Sequence, residues 1–160
     1  MATTPASVDK HPLHPILVAL PIGLWIFSLV CDVVYRFGPH EEIWRLMAWY
    51  AIVAGLVGAV AAAVPGAIDF FSITDPPAGR VALLHLVVNA GLVVLFALNA
   101  WLRSVLLPGS VLPLVLSVVG IAGLVVSGWL GGELVYVHRI GVSASSSMAR
   151  REIRRGKRAA

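Results

Sequence analysis

Four long apolar runs, separated by short stretches rich in Pro, Gly, Asp and Ser, make up most of residues 13–142. A helix needs roughly 20 apolar residues to cross a hydrocarbon core, so the pattern predicts spans at about 15–36, 43–64, 80–101 and 112–136. The first should begin at Pro15, because proline is preformed for the first helical position, with His14 at or beside the N-cap. Pro21 then frees a carbonyl and should kink it. Steps of four and three put His14, Val18, Pro21, Trp25, Ser28 and Asp32 on one stripe, which should face the bundle interior. In the second run Ala51, Gly55, Ala59 and Ala63 form a small-residue packing ridge, and Pro65-Gly66 should interrupt or bend the helix before Asp69. His85, Asn89, Phe96, Asn99 and Arg103 share a stripe on the third. Gly123, Ser127 and Gly131 make a second ladder on the fourth. Gly128 and Gly132 give a GxxxG beside it, read as close packing first and homodimerisation second.

The predicted fold is therefore all-α, a four-helix transmembrane bundle over residues 13–142. It is flanked by a loose polar segment, 1–12, and a basic, disordered tail, 143–160. Composition agrees: 59% of residues are hydrophobic and 12% charged, and a mean hydropathy of +0.90 exceeds what a soluble domain can cover with polar surface. The first run is too long for a signal-peptide core and lacks a small-x-small cleavage site, so it should be retained. Cys31 alone makes no disulfide framework or cysteine cluster.

The net charge of +4 does not imply nucleic acid, since six of the twelve basic residues fall in the last eleven positions. Such a tail is drawn to anionic lipid at about 1 kcal/mol per basic residue near the surface. Four spans put both termini on one side. Lys10, Arg80, Arg139 and the tail lie there, against Arg36, Arg45 and Arg103 opposite. The positive-inside rule then makes the termini cytoplasmic, in the inner (plasma) membrane.

Topology also gathers the polar residues. His11 and His14, Asp69, His85 with Asn89, Gly131-Gly132-Glu133 and His138 all fall at the end of the bundle that carries the termini. Each has a bland reading: His11, His14 and His138 as interfacial side chains, Asp69 and Glu133 paired with Arg80 and Arg139. His85 differs, because it lies inside an apolar helix, where an ionisable group usually marks function or a specific partner. At the other end Asp32 should pair with Arg36 or Arg103 in a structural role. Histidines facing one another in a helical bundle suit haem b, with His14 and His85 as axial ligands, Asn89 orienting them and Gly131-Gly132 admitting the macrocycle. Alternatively His11, His14, Asp69, His85, Glu133 and His138 could supply ligands or supporting groups for zinc or non-haem iron. A proton or quinone site using Asp69, His85 and Glu133 is a third option.

The blocks His11-Pro-Leu-His14-Pro-Ile-Leu-Val-Ala-Leu-Pro21-Ile-Gly, Gly66-Ala-Ile-Asp69, His85-Leu-Val-Val-Asn89 and Gly128-Trp-Leu-Gly-Gly-Glu133-Leu-Val-Tyr136 resemble the bacterial membrane-protein family called domain of unknown function 2231. The resemblance covers about residues 11–142 and implies four spans. Some members of that family carry a Rieske iron–sulfur domain after the membrane part, which implies electron transfer. This chain has a basic tail there and no cysteine pair, so a redox role requires a bound cofactor or a separate partner protein. The expected function is a cofactor-binding redox membrane protein. The alternatives are a non-catalytic interaction subunit packing through its glycine ladders and a small proton-coupled carrier. The residues specify no enzymatic reaction.

Overall fold

A computed structural model describes residues 4–9 and 11–142 of the chain; Lys10 and the expected basic tail lie outside the described residues. Four helical stretches are long and apolar enough to cross a membrane: Leu13–Phe37, Glu42–Phe71, Pro76–Val105 and Leu112–Tyr136. They expose large apolar side chains all along their outer faces, Val57, Val94, Val125 and Trp129 being more than two-thirds exposed. Apolar surface on that scale requires lipid.

The first stretch starts two residues before Pro15 and divides into α1 (Leu13–Leu17) and α2 (Ala19–Phe37). Pro21 has no N–H for the Leu17 carbonyl, which loosens the turn at Val18. Bonds from Val18 N to His14 O (3.0 Å) and from Ile22 N to Val18 O (3.2 Å) carry the chain across. Pro12 takes the N-cap position, so His14 lies inside the first turn. The next helix, α3 (Glu42–Phe71), passes through Pro65 instead of stopping there. Asp75 caps α4 (Pro76–Val105) by accepting from Ala78 N at 3.3 Å, and with Pro76 in the first turn the helix starts ahead of Arg80. The last helix is α5 (Leu112–Tyr136).

Residues 4–9, 11 and 12 include structure that hydropathy does not predict. Two short strands, β1 (Ser7–Val8) and β2 (His11–Pro12), pair antiparallel. The hairpin is tied down at both ends of its span, Leu13 N donating to Ala6 O and Ala6 N to Asp69 Oδ1, each at 3.0 Å. A buried carboxylate at the end of α3 thus anchors a strap that sequence periodicity could not reveal.

α2 packs most closely on α3 and α4 on α5, while α3 and α4, and α2 and α5, share lesser faces. α2 and α4 therefore stand at opposite corners of the bundle, and their large side chains fill its centre. Trp25 stacks on Phe96 with ring centroids 4.1 Å apart and planes 15° apart, an arrangement worth about 0.5–1.5 kcal/mol beyond area burial. The rings reach the centre because Gly55 and Gly120 open notches beside them. A Cβ on Gly55 would overlap the Trp25 indole, and one on Gly120 would lie 2.5 Å from Phe96 Cζ.

The end of the bundle away from the termini is closed by a buried ion pair. Arg103 donates to both Asp32 oxygens, at 2.7 and 2.6 Å, and through Nε to Asn99 Oδ1 at 3.1 Å. Ser117 donates to Asp32 at 2.9 Å and accepts from Arg103 and Asn99. All four residues are buried, so this is the structural pair that the stripes implied, with Arg103 and not Arg36 as the partner.

Candidate functional site

At the opposite end two imidazoles meet. His14 reaches from α1 to α3, where Nδ1 lies 2.8 Å from the Ala62 carbonyl. Pro65 has no N–H for the neighbouring Ala61 carbonyl, and Gly66 leaves the ring room: a Cβ there would sit 2.7 Å from His14 Nδ1. His85, on α4, lies 3.1 Å through Nδ1 from the Ser127 carbonyl on α5, beside Gly131, whose Cβ would be 3.3 Å from His85 Cε1. A carbonyl only accepts, so each Nδ1 carries a proton, and in a neutral ring that leaves the lone pair on Nε2. The two rings are 6.2 Å apart, centroid to centroid, with planes at 88°. Both are partly buried.

Asn89 supports this arrangement from one turn further along α4. Its amide nitrogen donates to His85 O at 2.7 Å and to Ser127 Oγ at 2.8 Å, and Ser127 Oγ donates back to Asn89 Oδ1 at 3.0 Å. The residue that presents a carbonyl to His85 is thereby held by its own side chain. Ser127 counted only as a rung of the small-residue ladder in the sequence, and the Ala62 carbonyl and the Gly66 notch carried no chemical signal there.

The other candidates disperse. Asp69 spends its carboxylate on Ala6, and its carbonyl accepts from Ser72 Oγ at 2.6 Å. His11 is exposed in β2, opposite Val8. His138 lies 3.9 Å from Asp75, a contact at the edge of an ion pair. Glu133 accepts at its backbone carbonyl from Val137 and His138 and stays only partly covered. The pairings of Asp69 with Arg80 and of Glu133 with Arg139 do not form among the described residues, whose ion pairs are Arg45–Glu42, Arg103–Asp32 and the marginal His138–Asp75. Among the described residues no three His, Cys, Asp or Glu side chains converge as a metal-ligand group. Gly132 meets only its own Tyr136, at 3.9 Å from a would-be Cβ, and Gly128 faces open space.

Residues 10–144 match the family described as Predicted membrane protein (DUF2231). No curated protein and no solved structure matches the chain.

Proposed function

For a chain that belongs to the DUF2231 family of predicted membrane proteins, we propose that His14 and His85 hold the iron of haem b and that the protein takes part in electron transfer. The observation that carries this reading is the matched state of the two rings, each with its Nδ1 proton committed to a carbonyl. That is the arrangement in which a histidine ligates through Nε2, the backbone partner fixing both tautomer and ring orientation. Haem supplies four nitrogens of its own, so two protein ligands suffice. A bare zinc or iron ion would need further ligands, and Asp69 is engaged elsewhere.

In this reading Asn89 and Ser127 orient His85, and Gly131 gives its ring room. The termini face the cytoplasm, the basic tail lies on anionic headgroups, and electrons pass to a separate partner protein in or at the inner membrane. The test is an optical spectrum of the detergent-purified protein, oxidised and then reduced with dithionite, with metal analysed on the same sample. The expected result is a Soret band that shifts, and α/β bands that sharpen, on reduction, both lost in His85→Ala. A sample without chromophore or metal, from cells supplied with haem, refutes the proposal.

The open flank of Gly128 favours a second reading, a non-catalytic subunit that packs against another membrane protein. Such a subunit would tolerate His85→Ala and lose its partner after Gly128→Leu; a cofactor protein would do the reverse.

A further inference from the structure

Contacts on the two sides of the bundle recur at fixed offsets. His85 follows His14 by 71 residues, Leu92 follows Pro21, Phe96 follows Trp25 and Arg103 follows Asp32 by the same number. On the partner helices the offset is 65, from Gly55 to Gly120, Gly58 to Gly123, Ala62 to Ser127 and Gly66 to Gly131. The difference falls at the turn between the helices of each hairpin, where α2 and α3 extend further than their counterparts.

These offsets carry the contacts with them. His14 bonds the carbonyl of Ala62 and sits against Gly66; His85 bonds the carbonyl of Ser127 and sits against Gly131. Pro21 abuts Gly58 as Leu92 abuts Gly123, and Trp25 fills the Gly55 notch as Phe96 fills that of Gly120. Three equivalent pairs also meet one another: His14 with His85, Trp25 with Phe96, and Asp32 with Arg103. Under a two-fold operation a residue touches its own equivalent only near the axis.

We propose that residues 13–71 and 84–136 are two copies of one helical hairpin related by a two-fold axis along the bundle, with His14 and His85 the equivalent halves of one axial site. The ligand class follows, and this step rests on the cofactor reading above. Two equivalent imidazoles would each offer the same ring nitrogen, so the pair would suit a metal centre that takes two identical ligands, as haem iron does. Asp32 and Arg103 mark where the copies diverged. Like charges at both positions would repel across the axis, whereas Asp facing Arg favours the pairing of one half with the other over the pairing of either with itself.

Two measurements on the full-length protein in detergent test this. Nitrogen-15 histidine NMR without cofactor at neutral pH should find His14 and His85 both as Nδ1–H tautomers, with each signal moving when the other histidine is replaced by alanine. A different tautomer at either residue, or no mutual effect, overturns the proposal. In a haemin titration, His14→Ala and His85→Ala should each abolish the low-spin bis-imidazole spectrum and weaken binding equally, to within about threefold. A low-spin complex that depends on one histidine alone overturns the equivalence and leaves only haem binding itself standing. Absence of haemin binding beside the expected NMR result overturns the ligand assignment and leaves the two-fold hairpin pair. His14→Gln and His85→Gln serve if an alanine variant does not fold.

Discussion

Replacing Arg103 by methionine removes the guanidinium at the closed end of the bundle and leaves a side chain that still fills the apolar space. The Asp32 carboxylate then loses two charge-assisted bonds, at 2.7 and 2.6 Å, and keeps only the Ser117 hydroxyl at 2.9 Å. The Asn99 side-chain oxygen loses its donor as well. Both charged side chains are less than a tenth exposed, and breaking such a pair costs about 3–5 kcal/mol. Removing the second charge too, in Asp32→Leu/Arg103→Met, should recover most of that loss, because the penalty lies in the orphaned charge and not in the missing attraction. The assay is unfolding in mixed detergent micelles followed by tryptophan fluorescence, Trp25 being in the core on the same helix as Asp32. An Arg103→Met protein within about 1 kcal/mol of the parent, or a double variant no more stable than the single, would refute the reasoning.

Gly66→Ala should destabilise by about 1–3 kcal/mol and displace His14, since the new methyl carbon would lie 2.7 Å from Nδ1; thermal unfolding and the His14 NMR signal report the two effects. Gly131→Ala, at 3.3 Å from His85 Cε1, should be milder on both measures, and the reverse order would contradict the described packing. Asp69→Ala leaves the Ala6 amide without its acceptor, at about 1–3 kcal/mol for a covered donor. Faster amide exchange and proteolysis confined to residues 4–12 is the expected readout. Asn89→Leu should leave the bundle folded and loosen His85, because Ser127 loses both of its amide contacts; an unchanged His85 signal would count against the positioning role.

Much of the fold can be read from hydropathy alone. The four spans and their interior stripes follow from apolar run length and helical spacing, and Pro21, Trp25, Ser28 and Asp32 are indeed buried. Helix ends are less legible, because their positions depend on single bonds. Pro65 reads as a break, yet α3 continues past it to Phe71, with a histidine from another helix bonded to the Ala62 carbonyl one turn before the proline. The strap formed by residues 4–9, 11 and 12 depends on one carboxylate 63 residues from the amide that donates to it. At the site, shared depth in the membrane brought six titratable residues to one end, but depth does not fix direction around a helix axis. The glycines at 66 and 131 decide that only two of those residues, His14 and His85, turn inward to meet.

The division of polar contacts between the hairpins has a consequence for biosynthesis. His14 finds its acceptor at residue 62 and His85 at residue 127, each within its own hairpin. Neither pair of helices is therefore held back from lipid by its imidazole, which is satisfied within the hairpin. Asp32 has no such recourse, since its partner emerges from the ribosome 71 residues later. A lone carboxylate inside a span is unfavourable in lipid, so the first hairpin should linger at the boundary between the insertion machinery and the bilayer. Its release should then await Arg103, and one ion pair would set the order in which the membrane receives the chain.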